Sequence, residues 1–131
     1  MICRPPIPRA ALRAGFALAL AAFPAVATGH AALVRAAPGP REAVRVAPAR
    51  VQLWFSERLE PAYSTLSVWA NQARVDGGTA RVSADDARLL SVALPPLDRG
   101  RYEVKYRVLS IDGHVVEGTY PFTVTERAPA R

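Results

Sequence analysis

Apolar and polar residues alternate along the second half of the chain with the period of two that is typical of β-strands. The clearest case runs from residue 101 to 109. Every second residue there is apolar and those between are charged: Tyr102, Val104, Tyr106 and Val108 against Arg101, Glu103, Lys105 and Arg107. Because successive side chains of a strand point to opposite faces, this segment predicts a strand with one buried and one solvated face.

Short apolar segments recur after residue 30, separated by Pro, Gly and Asp, and no long helical pattern appears. The predicted strands are 31–36, 51–56, 63–70, 88–94, 101–109 and 119–125. Pro121 lacks a backbone N–H, so the last strand needs an edge or a bulge at that point. We therefore predict an all-β domain, an immunoglobulin-like Greek-key β-sandwich or barrel of about seven strands.

The segment from Asp98 to Tyr102 resembles the tyrosine corner of immunoglobulin-like sandwiches. In that motif the tyrosine hydroxyl is bonded to the backbone of the preceding corner. We expect the same of Tyr102, and the alternative is an ordinary half-buried strand tyrosine.

The first 29 residues have the pattern of a secretory signal peptide. Three arginines (Arg4, Arg9 and Arg13) precede an apolar run over 14–26, and small residues follow it. The run is too short to span a bilayer comfortably, although an uncleaved anchor is the alternative. We predict a signal peptide at 1–29 and a mature exported domain at 30–131. Cleavage before Thr28 fits the small-residue pattern equally well.

Charge and sulfur content narrow the range of partners. Loss of the three signal arginines lowers the net charge from +6 to +3. The remaining arginines occur singly, without interleaved aromatic residues, so we expect no nucleic-acid partner. The one cysteine, Cys3, and the one methionine, Met1, both lie in the signal. We expect a soluble monomer without disulfides and without a thioether site for Cu(I).

Residues 110–118, Ser-Ile-Asp-Gly-His-Val-Val-Glu-Gly, contain one of the two histidines. In an extended segment Asp112 and His114 would point the same way, with Gly113 leaving room between them. By itself this triplet is a weak signal, and on these two residues alone a simple turn is the favoured interpretation. The other histidine, His30, would become the N-terminus after cleavage and offer its α-amine and its imidazole. Three nitrogens and one oxygen are typical of tetragonal Cu(II), whereas zinc prefers a tetrahedron.

The region after the signal resembles the CopC family of periplasmic copper-binding proteins. The resemblance rests on these blocks: His30-Ala31 with Leu33 and Pro38, Ala47-Pro48, the run 51–57 (Val-Gln-Leu-Trp-Phe-Ser-Glu), the run 94–97 (Leu-Pro-Pro-Leu) with Gly100 and Tyr102, the run 107–114, Gly118, and the run 122–124. It departs from the family at Tyr106, where many members have Trp. Both residues pack in a core.

The resemblance implies a small β-sandwich that binds one Cu(II) per chain through His30, Asp112 and His114, in copper resistance or supply. Glu57 matches an acidic position near copper in some members, as a weak ligand or an acceptor that orients an imidazole. A surface glutamate is the alternative for that position. The resemblance also implies an inner-membrane copper transporter of the CopD type as a partner.

Two other functions remain open at this stage. A metal-free immunoglobulin-like interaction module would explain the strands but neither histidine. A copper-dependent oxidase or monooxygenase would need an open coordination position and an aromatic substrate face. The chain is short and has few aromatic residues, so we expect no enzymatic activity. The sequence does not distinguish copper storage from copper delivery.

Overall fold

The structure is a computed structural model that describes residues 2–3, 6 and 31–127. His30 and almost all of the predicted signal peptide lie outside the described residues. No helix in the described part of the chain combines the length and the apolar character needed to cross a membrane.

The described chain forms two β-sheets. The strands are β1 Leu33–Ala37, β2 Ala43–Val44, β3 Arg50–Phe55, β4 Thr65–Ala70, β5 Ala73–Arg74, β6 Arg81–Val82, β7 Leu89–Ala93, β8 Gly100–Leu109 and β9 Val115–Val124. The four-stranded sheet has the order β1-β3-β7-β6 and the five-stranded sheet the order β2-β9-β8-β4-β5. Neither sheet closes on itself, so the protein is a β-sandwich and the barrel alternative is wrong.

All six predicted strands are present, and three more are only two residues long (β2, β5 and β6). Strands this short leave no alternation in the sequence, which is why the predicted number was about seven. β9 begins at Val115 and not at 119, because residues 115–118 already pair with the end of β8. β4 begins at Thr65 because Pro61–Tyr63 form a 3-10 turn.

Inward-facing residues of both sheets make one hydrophobic core. The alternating positions of the predicted strands supply it: Val51, Leu53 and Phe55 of β3, Leu66 and Val68 of β4, Leu90 and Val92 of β7, Tyr102, Val104 and Val108 of β8, and Tyr120, Phe122 and Val124 of β9. Tyr106 packs its ring against Phe55 in an edge-on contact, with 5.5 Å between ring centroids. Core packing by Tyr106 is thus confirmed.

Two local features of the sequence have the expected structural roles. The Tyr102 hydroxyl donates a hydrogen bond to the Asp98 carbonyl at 2.6 Å, which confirms the tyrosine corner. Pro121 lies opposite Glu103 of β8, and its carbonyl accepts a bond from the Arg41 N–H on the other side. The N and C=O of one strand residue face the same side, so the nitrogen of Pro121 points away from β8. β9 is flanked by β2 and β8, but β2 pairs only with Thr123 and Val124, so the missing N–H of Pro121 falls outside that short ladder.

Candidate metal centre

The predicted ligands Asp112 and His114 lie in the loop that joins β8 to β9. The strands pair up to Leu109 and Val115, and the Ser110 N–H donates to the His114 carbonyl at 3.0 Å. The Gly113 N–H donates to the Ser110 carbonyl at 2.9 Å, and Gly113 has a φ of 92°. The segment is therefore a tight turn and not an extended strand. The expectation that strand periodicity aligns the two side chains is wrong, and the turn brings them together.

The two side chains contact each other at the tip of this hairpin. Oδ2 of Asp112 lies 3.1 Å from Nδ1 of His114. The side chains are 36% and 48% exposed, respectively, so an incoming ion can reach them from solvent. An imidazole nitrogen and a carboxylate oxygen are thus presented together at one accessible point.

Ser110 holds the aspartate in place from inside the loop. Ser110 is fully buried, and its hydroxyl donates a hydrogen bond to Oδ1 of Asp112. The backbone N–H of His114 donates to the same oxygen at 3.3 Å. Sequence reasoning missed this role of Ser110, because nothing in its local pattern shows that the chain folds back over it.

These contacts lower the pKa of Asp112 below its ordinary value. The hydrogen bond from Ser110 is the largest cause of the lower pKa, and partial desolvation acts in the opposite direction. Hydrogen bonds from the ring and the backbone N–H of His114, and the charge of its ring, lower the pKa further. Hydrogen bonds to the charged form favour that form. The carboxylate is therefore anionic at neutral pH, as a metal ligand must be.

Two other segments meet the hairpin at the same end of the sandwich. Ala32 and Ser56 are joined by two hydrogen bonds, from the Ala32 N–H to the Ser56 hydroxyl at 2.9 Å and from the Ser56 N–H to the Ala32 carbonyl at 2.8 Å. Three residues further on, Leu59 forms an isolated bridge with Ser110. The Ile111 N–H donates to the Arg58 carbonyl at 3.0 Å. The beginning of the continuous described chain, at the buried Ala31, is thus tied to the segment that supports the loop.

Glu57 lies in that supporting segment, next to Ser56, and is half-buried. Across the residues that the structure describes, no three or more His, Cys, Asp or Glu side chains are grouped closely enough to hold a metal ion. The pair Asp112–His114 is therefore not joined by Glu57 as a third donor there. His30, the remaining predicted ligand, lies outside the described residues.

Comparison with known proteins identifies the family. The CopC domain family matches residues 33–125, and the chain belongs to this family. Among solved structures it is similar to CopC from Methylosinus trichosporium OB3b, with a TM-score of 0.69 and 40% identity over 78% of this chain and 100% of that one. It is also similar to PcoC, a methionine-rich copper resistance protein from Escherichia coli, with a TM-score of 0.61 and 30% identity over 73% of this chain and 99% of that one.

A further relative is the copper transport protein CutJ of Bacillus subtilis, 30% identical over 109 residues. That alignment covers 82% of this chain but only 20% of CutJ. The chain thus corresponds to one part of a much longer protein in that case, and to nearly the whole of the two CopC-type structures.

Proposed function

We propose that this protein is a periplasmic Cu(II)-binding protein of copper resistance, which binds one copper ion per chain at the end of the sandwich. Membership of the CopC family and the copper resistance and copper transport names of its relatives support a copper-binding role. The observation that carries the proposal is the contact between Asp112 and His114 at the exposed hairpin tip.

In this proposal His114, Asp112 and the amine and imidazole of an N-terminal His30 are the copper ligands. Nδ1 of His114 and Oδ2 of Asp112 lie 3.1 Å apart, so we assign these two atoms to the metal, which would take the place of the proton between them. The bonds from Ala32 to Ser56 support the involvement of His30, because they direct the beginning of the described chain toward the segment beneath the hairpin. We retain Glu57 as a weak or orienting group only.

The oxidation state follows from the donor types. Imidazole, amine and carboxylate donors suit Cu(II), whereas thioether and thiolate donors suit Cu(I). PcoC is described as methionine-rich, and this chain has Met1 alone. We therefore propose a Cu(II) protein that buffers copper or delivers it, with a CopD-type transporter as a recipient, and we propose that it is monomeric and not an enzyme.

The test is native mass spectrometry of the exported protein after exposure to Cu(II), with affinities from competition against a chelator. We expect a product that begins at His30 and retains one copper. His114→Ala and Asp112→Asn should each weaken binding about 100-fold or more, since even outer partners of metal ligands change affinity 10–100-fold. Asp98→Asn is the matched control, because it removes an exposed carboxylate at the opposite end of β8 and should leave the affinity unchanged.

Two results would contradict the proposal. The first is a product beginning at Thr28, which would have no histidine amine. The second is copper binding that is indifferent to His114→Ala, as a metal-free module with incidental surface binding would show. Peroxide production by the copper form in the presence of ascorbate would instead favour the oxidase alternative.

A further inference from the structure

The two outer faces of the sandwich differ in charge. The strands of the four-stranded sheet contain three arginines, Arg35, Arg50 and Arg81, and no Asp, Glu or Lys. The sequence separates these arginines by 15 and 31 residues, which is why they appear there as isolated charges. We refer to the outer surface formed by Arg35, Arg50, Trp54 and Arg81 as the cationic face.

Strand register places these side chains on one surface. Val51, Leu53 and Phe55 of β3 are buried, so Arg50 and Trp54 point outward. Arg35 is paired with Trp54 across β1 and β3, and its guanidinium lies 4.5 Å from the centre of the indole ring. Arg81 of β6 is paired with Ser91 of β7, and paired residues project from the same face of a sheet.

The three arginines differ from Lys105 and Arg107 of the other sheet in having no carboxylate partner. On the outer face of the five-stranded sheet, Arg107 is 2.7 Å from Glu117 and Lys105 is 3.8 Å from Glu103. Among the described residues, Arg35, Arg50 and Arg81 take part in no ion pair. Their positive charge is therefore available to an external anion.

A shallow cavity of about 230 Å³ lies on the cationic face between two of the arginines. Arg50, Arg81 and Ser91 line it, with Ala49, Thr79 and Ala93. Guanidinium groups bind phosphate oxygens in bidentate fashion, and a serine hydroxyl adds a further donor. Glu42 and Arg50 both line the neighbouring cavity, and the Glu42 carboxylate accepts a bond from the Gly39 N–H at 2.6 Å.

We propose that the cationic face binds the surface of an anionic phospholipid membrane. The strand spacing of about 4.8 Å and the rise of about 3.3 Å per residue put the three arginines roughly 10–15 Å apart in a triangle, and not in a line along one groove. Three unpaired guanidiniums spread over one face of a sheet can contact several phosphate headgroups of a membrane surface. Trp54, which is partly exposed on this face, adds an aromatic group of the kind that favours the membrane interface.

The test is flotation of the exported full-length product with vesicles, without added copper. Vesicles of phosphatidylcholine alone are compared with vesicles containing about one quarter phosphatidylglycerol. The ionic strength is kept at about 0.01 M, where the Debye length is about 30 Å and electrostatic attraction is only weakly screened. We expect binding only to the anionic vesicles. The substitutions Arg35→Gln, Arg50→Gln and Arg81→Gln should each lower the partition coefficient about fivefold, the factor for about 1 kcal/mol per cationic residue near such a surface.

Two triple variants are compared. One combines Arg35→Gln, Arg50→Gln and Arg81→Gln on the cationic face, and the control combines Arg101→Gln, Lys105→Gln and Arg107→Gln on the other sheet, so that both have the same net charge. The control should bind nearly as well as the unmodified protein, whereas the triple variant of the cationic face should lose roughly 100-fold. All six positions are exposed, and thermal unfolding verifies that both variants fold. In a Trp69→Phe background, emission from Trp54 should shift to shorter wavelength when anionic vesicles are added.

Equal loss in the two triple variants would overturn the proposal, because net charge alone would then explain the binding. Absence of binding to anionic vesicles, or an unshifted Trp54 emission, would also overturn it. Binding to duplex DNA that depends on the same three arginines, without vesicle binding, would identify the face as a nucleic-acid surface instead.

Discussion

At the scale of single residues, Gly113 determines whether the side chains of Asp112 and His114, the proposed ligands, meet. Its φ of 92° is strongly unfavourable for a residue with a Cβ, although a Cβ there would have open space around it. We predict that Gly113→Ala lowers the free energy of unfolding by about 1–2 kcal/mol, the cost of a left-handed residue, and weakens copper binding as the turn relaxes. Chemical denaturation and chelator competition measure the two effects.

Gly39→Ala is the control for this substitution. Gly39 is also a loop glycine, but its φ lies outside the left-handed range, and an added Cβ would make an ordinary contact at 3.4 Å with Glu42. It should change neither quantity appreciably. A Gly113→Ala protein with unchanged stability and unchanged affinity would show that the turn is not what pairs Asp112 with His114.

Some features of the β8–β9 loop could be predicted from residue types and spacing, and others could not. Asp112 and His114 were predicted as partners from their types and spacing, and their contact at 3.1 Å confirms that they lie together. The assumed extended geometry was wrong, since a Gly between two polar residues is equally a turn signal. Ser110 could not be found at all, because its hydroxyl meets Asp112 only after the hairpin has closed.

At the scale of secondary-structure elements, Asp76 fastens the β4–β5 hairpin. Its side chain is fully inaccessible to solvent and accepts bonds from the Val68 N–H at 2.9 Å and from Nε of Arg74 at 2.7 Å. Burial acts to raise the pKa of Asp76, but these bonds and one from the Gly78 N–H outweigh it, so the pKa lies below the ordinary value of 3.8. The ionised carboxylate therefore belongs to the folded state.

This pKa shift gives stability a defined pH dependence. A carboxyl whose pKa is lowered by folding stabilises the protein above its unfolded pKa, and that contribution is lost as the pH falls through the folded value. We predict that Asp76→Asn costs about 1–3 kcal/mol near pH 7 and progressively less as the pH falls through the folded pKa. Urea denaturation of the two proteins at several pH values measures this difference.

Asp98→Asn again serves as the control, since that carboxylate is 77% exposed. It should change stability little at any of these pH values. If Asp76→Asn lowers the free energy of unfolding by the same amount down to strong acid, the hydrogen-bond geometry at this position stabilises the fold and the charge of Asp76 does not.

Strands could be predicted from the sequence where one face is buried and the other is solvated, because apolar and polar residues then alternate. β8 is buried on one face and solvated on the other over ten residues, so its alternation is unmistakable. The strands β2, β5 and β6 are defined by backbone pairing with a neighbouring strand over two residues, and no side-chain pattern in the sequence indicates that pairing. The same holds for the beginning of β9, which the pairing with β8 extends to Val115.

At the scale of the whole molecule, sheet register creates surfaces that the sequence does not show. Arg35, Arg50 and Arg81 belong to three different strands, and two of these are separated by β7. Composition gave the net charge but not its distribution, because only pairing between distant strands puts the arginines on one face and the ion pairs on the other. A prediction from composition therefore describes solubility better than it describes partners.

Tyr120 joins the two halves of the sandwich. It belongs to β9 of the five-stranded sheet, and its buried hydroxyl donates at 2.7 Å to the carbonyl of Pro38, which follows β1 of the four-stranded sheet. Burial raises the pKa of Tyr120, so the hydroxyl keeps the proton that it donates. Removal of this donor would leave a buried carbonyl without a partner, and that costs more than the loss of an exposed bond.

We predict that Tyr120→Phe lowers the free energy of unfolding by about 1–3 kcal/mol. Tyr63→Phe, at a residue that is 67% exposed, should have almost no effect in the same denaturation experiment. Copper affinity should be the same in both variants, because Tyr120 lies five residues, or roughly 17 Å of strand, beyond the hairpin loop. Loss of affinity in Tyr120→Phe would show that contact between the sheets also sets the position of the ligands. An unchanged affinity with reduced stability would show that the bond between Tyr120 and Pro38 stabilises the fold independently of the proposed copper site.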